Sequence, residues 1–235
     1  MTTPTLPEYA PLPAKTSVWE DCLDIFYSPR EVFERRRDGK FWVPLLVFAV
    51  LVGVLAFLGR QAFDAIQDVA IRESFAKQGM SPEQAAQARA MTEKFKTVGY
   101  AFAPVIWVVL GLVVGLVFWV LARLFGATLT VAQGITIWVL ASYPNLVNTA
   151  AVVAQSFFVD PNTVTHKHAY SLSAARFLSA DMNPFVMKLA SLADPFVIWS
   201  GVLLGIGAHV IAKLEKEKAA ALAVVATLLY VLAFA

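Results

Sequence analysis

Apolar residues in this chain gather in long uninterrupted blocks rather than recurring at a helical or strand period. Five stretches, 41–59, 97–122, 124–159, 195–212 and 219–235, contain no Asp, Glu, Lys or Arg. A helix rises ~1.5 Å per residue and the hydrocarbon layer is ~30 Å thick, so about 20 apolar residues reach across it. A core helix of a soluble domain keeps a polar face and has no use for such runs. The blocks predict an all-α integral membrane bundle of about five transmembrane helices, near 41–59, 98–122, 131–155, 195–212 and 219–235.

The segments between the blocks carry helix signals of their own. Met1 to Ala14, with Pro4, Pro7, Pro11 and Pro13, reads as a disordered tail. Ser17-Val18-Trp19-Glu20 is a capping box that starts a short helix with Trp19, Cys22 and Phe26 near one face. Ser28-Pro29-Arg30-Glu31 starts a second helix, with Pro29 at its first position. That helix sets Val32 and Phe33 beside Arg30, Arg35, Arg36 and Arg37, a mixture suited to an anionic bilayer surface. Residues 1–40 are thus expected to form a cytoplasmic tail and amphipathic interfacial helices, and 41–235 the transmembrane domain. The polar stretch Arg60–Lys96 predicts two amphipathic helices split at Gly79, the second capped at Ser81-Pro82-Glu83.

Composition sharpens the membrane reading and excludes other classes. The chain is 58% hydrophobic and 15% charged, where a soluble domain carries about 25% charged residues. A net charge of +2 with no basic patch gives no footing for nucleic acid. Cys22 is the single cysteine, so no intramolecular disulfide can form. The first forty residues lack an apolar signal core, and the span beginning at Phe41 is expected to serve as its own insertion signal. Lys and Arg cluster at Arg30–Lys40, Arg123 and Lys213–Lys218, which predicts a cytoplasmic N-terminus and, with five spans, a C-terminus outside.

Candidate functional groups follow from polar residues inside the apolar blocks. The block 124–159 is too long for one straight span and holds Gln133, Asn145, Asn148 and Gln155. Pro144 cannot donate to the Leu140 carbonyl, so the helix is expected to kink or break there. The four amides form a candidate intramembrane polar cluster with two readings. They act as hydrogen-bonding glue between helices, or they line a transport site at a broken helix. Glue is favoured, because no acidic or basic residue shares the segment. Asp194, before Pro195, reads as the N-cap of the fourth span, with a proton- or cation-accepting role as the alternative. Gly111 and Gly115, and Gly201 and Gly205, have the small-xxx-small spacing that lets helices approach closely.

Other chemistry finds little footing. His166-Lys167-His168 offers two metal ligands where a site needs three or four, so solvated loop histidines are expected. His209 lies within a turn of Lys213 and reads as an interfacial residue. The sequence has no HExxH, no GxSxG, no phosphate loop and no paired intramembrane carboxylates. No catalysis, no cofactor and no metal are expected. The expected partners are the lipid bilayer and, within it, other membrane proteins or a second copy.

Two further segments carry a resemblance. Trp19-Glu20-Asp21 followed by Ile25-Phe26-Tyr27-Ser28-Pro29-Arg30-Glu31-Val32-Phe33 resembles the entry motif of the Yip1 family of membrane proteins. Asp194-Pro195-Phe196-Val197-Ile198-Trp199, running on to Gly205-Ile206-Gly207, is similar to that family's later segment, and the turn Lys213–Lys218 before a final span fits as well. The resemblance runs from about Trp19 to the end, with a longer polar stretch at Arg60–Lys96 than the family leads one to expect. It implies five spans. It also implies a role in membranes: eukaryotic relatives sit in Golgi and endoplasmic reticulum and are linked to vesicle traffic and Rab GTPases. Bacterial relatives, which this chain resembles in style, sit in the inner membrane.

Overall fold

The computed structural model of the chain describes residues 17–179 and 181–234. The expected disordered tail at Met1–Ala14 lies outside them. Ten α-helices are described: α1 (Val18–Tyr27), α2 (Pro29–Arg35), α3 (Trp42–Leu58), α4 (Arg60–Lys77), α5 (Pro82–Leu124), α6 (Val131–Ala141), α7 (Pro144–Ser156), α8 (Pro184–Ser191), α9 (Pro195–Val210) and α10 (Lys216–Phe234). Three segments are long and apolar enough to cross a membrane on their own, 98–124, 131–156 and 216–234, and up to five count if each of two bent pairs is one span. The fold is a multi-pass membrane helix bundle.

The outer faces are as apolar as the core. Val105, Val109, Val113, Leu116, Val117 and Val120 of α5 are all exposed. In water such a stripe would drive association, whereas lipid tails are its natural solvent. The inner faces close around Leu45, Phe118, Ile137, Leu140, Leu203 and Leu222, all essentially inaccessible.

The bent pairs place two helices across the bundle rather than along it. α3 is 17 residues long, turns at Gly59 and continues as α4 at 81° to its former direction. α8 meets α9 at 64°. The far ends of α3, α7 and α10 and the near end of α9 lie at the same end of the bundle as α4 and α8. Gly59 sits against Val153 of α7, and Lys188 of α8 donates to the Leu232 carbonyl of α10 at 2.6 Å. α1 and α2 cover the opposite end, where Gln133 Nε2 donates to the Arg37 carbonyl at 2.9 Å.

The expected boundary between a second amphipathic helix and the second span does not exist. Ser81 caps as foreseen, with Gln84 completing the box, but α5 then runs 43 residues without a break. Gly99 stays helical. Pro104 also lies within the helix, its ring seated over Gly53 of α3, where any Cβ would come within 2.7 Å of the ring. Gly53 therefore makes room for the proline that α5 retains.

The N-terminal helices also differ from expectation. Val32 and Phe33 are fully buried, Phe33 reaching under α9 against Gly207. Arg35 donates to Asp21 at 2.8 Å and to Asp24 at 2.6 Å, and Arg36 donates to Asp21 at 2.6 Å. The apolar stripe of α2 therefore packs into protein, and of the four arginines in and just after α2, Arg35 and Arg36 are committed to carboxylates on α1. Burial opposes the Arg35 charge, but Asp21 and Asp24 outweigh it and raise its pKa. Arg30 and Arg37 remain exposed and available to a lipid surface. The stripe that faces outward is on α1, where Trp19, Leu23 and Tyr27 follow at helical spacing and are all exposed.

Candidate functional site

Around Pro144 the third span is interrupted for two residues and resumes without a sharp bend. The Leu140 carbonyl that proline cannot serve accepts instead from the Tyr143 N–H at 3.3 Å, and Ser142 and Tyr143 carbonyls accept from Asn145 and Leu146 at 3.0 Å. These are three-residue bonds, a tightened turn that restores much of what proline removes. Ser142 Oγ bonds back to Trp138 at 2.8 Å. The asparagines are not needed to repair this break.

Tyr143 fixes the turn in place, a role that sequence reasoning missed. Its hydroxyl donates to the Pro44 carbonyl of α3 at 2.9 Å in a fully buried position. Its ring leans on Phe48 at 5.7 Å. The Cys22 thiol of α1 lies against the same hydroxyl, and burial pushes that thiol's pKa up. The available signal was a tyrosine inside an apolar block, since a buried phenol must find a partner.

The four amides are not brought together. Gln133 completes a capping box with Thr130 at the start of α6 and reaches Arg37, so it sits at the bundle's end. Gln155 lies at the opposite end, accepting from Arg176 at 2.6 Å and donating to the Tyr170 carbonyl at 3.0 Å. Twenty-two residues of helix hold these two roughly 33 Å apart. The expected cluster is thereby corrected to two end anchors and an inner pair.

The inner pair divides. Asn148 Nδ2 donates to Asp194 Oδ2 at 3.3 Å, while Asp194 Oδ1 accepts from the amides of Phe196 and Val197 at 2.8 and 3.2 Å. Asp194 thus caps α9 and binds α7 with its two oxygens, buried where lone amides would be costly. Asn145 lines a cavity of about 290 Å³ whose other walls include Phe48, Trp107, Gly111, Ser142 and Tyr230.

The glycines mark helix contacts. A Cβ on Gly111 would meet Leu45 of α3 at 2.7 Å, and one on Gly115 would meet the Ile135 Cα of α6 at 2.9 Å. A Cβ on Gly201 would meet the Thr227 hydroxyl of α10 at 2.9 Å, and one on Gly205 would meet Ala223 at a looser 3.5 Å. His166 and His168 sit in the loop beyond α7, and the expectation of solvated histidines fails for His168, which is buried. Burial holds its pKa down to about 4, with Lys167 and His166 adding to the effect. Among the described residues no three metal-capable side chains come together.

The Yip1 domain matches residues 23–235, from the middle of α1 through α10. The chain belongs to the Yip1 family. The match takes in the Pro144 turn, the Asp194 cap and the whole of α4 and α5, so the long polar stretch lies within the Yip1 domain. No curated protein and no solved structure matches the chain.

Proposed function

We propose that this Yip1 protein is a non-enzymatic component of the bacterial inner membrane that acts through helix and partner contacts within the bilayer. Its N-terminus faces the cytoplasm and its C-terminus the periplasm. What supports the reading is the use made of polar groups inside the spans. Asn148 and Asp194 bind each other and a helix start, and Tyr143 binds Pro44, so each is spent on holding the bundle together. Arg30 shares a groove with Lys216, and Arg37 sits at the start of α6, so these basic residues lie at the end of the bundle that carries α1 and α2, which supports the orientation. Reporter fusions that work only in the cytoplasm should be active at Lys216 and silent at His168; the reverse pattern refutes the orientation.

A small transporter is the second reading, and one observation favours it: Ser142 and Asn145 face the 290 Å³ cavity. Cysteine labelling separates the two. With Cys22→Ser removing the background, Asn145→Cys and Asn148→Cys should react poorly with small hydrophilic thiol reagents. Ready labelling at both positions would establish a hydrated path and overturn the packing role.

A further inference from the structure

A large concavity lies between α9 and α10, away from the Pro144 turn. It is a groove of about 810 Å³, within the ~300–1,000 Å³ range of small-molecule sites. Gly201 and Gly205 make its floor, and Ala220 and Val224 stand exposed on its α10 wall. Its walls are apolar along most of their length. At one end the lining changes to Arg30, His209 and Lys216, and among the described residues no carboxylate lines it.

That end is cationic for several independent reasons. Lys216 is exposed and, among the described residues, makes no ion pair. Glu34 engages Arg30 through Nε at 2.9 Å, and the Arg30 side chain is 77% exposed. His209 Nδ1 lies 2.7 Å from the Leu214 carbonyl, an acceptor, so Nδ1 carries the hydrogen, and Nε2 donates to an anion only when it too is protonated. The first helical bond of α10 is Ala219 N–H to the Glu215 carbonyl, leaving the amides of Lys216, Glu217 and Lys218 as the positive end of that helix.

We propose that this groove binds one anionic glycerophospholipid, its phosphate at Arg30 and Lys216 and an acyl chain along the glycine floor. Length supports this occupant. From Lys216 to Leu228 the wall is twelve residues long, roughly 18 Å, against about 15 Å for one leaflet's hydrocarbon. Charge argues against a second copy of the chain, because a two-fold contact here would set Arg30 and Lys216 against their own counterparts. The lipid comes from the leaflet on the side of α1 and α2.

The test uses the full chain in mild detergent, adding phosphatidylglycerol or phosphatidylcholine with the same acyl chains. Phosphatidylglycerol should raise Tm saturably, and phosphatidylcholine at equal concentration should shift it little. The double variant Arg30→Gln/Lys216→Gln changes only exposed side chains, so its lipid-free Tm should hold. It should need about tenfold more phosphatidylglycerol for the same shift. Ala220→Phe, which fills the groove from its exposed wall, should abolish the shift. Equal protection by both lipids, or an unchanged response in the double variant, overturns the proposal. So does a lipid-independent dimer that Ala220→Phe dissociates. A native mass spectrum of the unaltered protein that shows no bound phosphatidylglycerol overturns it whatever the variants do.

Discussion

Asn148 and Asp194, 46 residues apart, meet at 3.3 Å, and the contact joins the broken third span to the first turn of the fourth. One carboxylate thereby closes a helix terminus and fixes a neighbouring helix. A buried carboxyl group without partners would be costly, and three donors surround this one.

The pair should therefore be energetically coupled. In a double-mutant cycle of Asn148→Leu and Asp194→Ala, followed by thermal melts in detergent, the coupling should be about 0.6–2 kcal/mol. Asp194→Ala alone should cost about 1–2 kcal/mol more than Asn148→Leu, because it also removes the cap. Additive losses would mean that the two residues act independently.

Helix contact at glycine should be steeply position-dependent. Gly115→Ala drives a methyl to 2.9 Å from the Ile135 backbone, and α6 must retreat, at a cost of about 1–3 kcal/mol. Gly205→Ala meets Ala223 at 3.5 Å, an ordinary contact, so it should be neutral or slightly stabilising. Equal melting temperatures for the two variants would contradict this packing.

Asp21 anchors α1 to α2 through Arg35 and Arg36, with its side chain 2% exposed and theirs 20% and 16%. Asp21→Ala strips Arg36 of its carboxylate and leaves Arg35 with Asp24, while the two guanidiniums stay close together. The loss should be about 2–3 kcal/mol, less than for a fully buried pair because both arginines keep some water. Arg30→Gln, whose pair with Glu34 is exposed, should change stability by well under 1 kcal/mol in the same assay.

How far the sequence carried this reading depends on which residues are asked. The five apolar blocks and the caps at Ser17, Ser81 and Asp194 were legible, because span length and first-turn chemistry are local. The partners of Arg35 and Arg36 were not, since they depend on how the chain turns at Ser28 to lay α2 beside α1. Gln133 did carry a signal, the Thr130-x-x-Gln133 capping box, which its apolar surroundings obscured. The meeting of Asn148 with Asp194 had no local trace. It arises only when α7 and α9 pack.

Acid should destabilise the loop that holds His168. Its folded pKa, about 4, lies below the ordinary 6.5, so the unfolded chain binds the proton more readily. The contribution is complete above pH 6.5 and fades as pH falls toward 4, by on the order of 1–3 kcal/mol. His168→Gln should flatten the pH dependence of Tm between 6.5 and 4. An unchanged slope would assign that dependence to other groups.

The unbroken course of α5 has a mechanical consequence. Forty-three residues make a rod of about 65 Å, some twice the thickness of the hydrocarbon layer. Its outer 16 residues, about 24 Å, stand beyond the apolar stretch and are held to α4 where Lys96 meets Asp68 at 3.2 Å. From Glu83 to Ala103 no proline interrupts the helix at the membrane surface, and Pro104 beyond it is braced on Gly53 of α3. A 10° lean of the span would carry the far tip sideways by about 4 Å. Strain applied to the polar tip is delivered in the same way to the Gly53–Pro104 and Gly115–Ile135 seams, so the rod reports across the bilayer boundary in both directions.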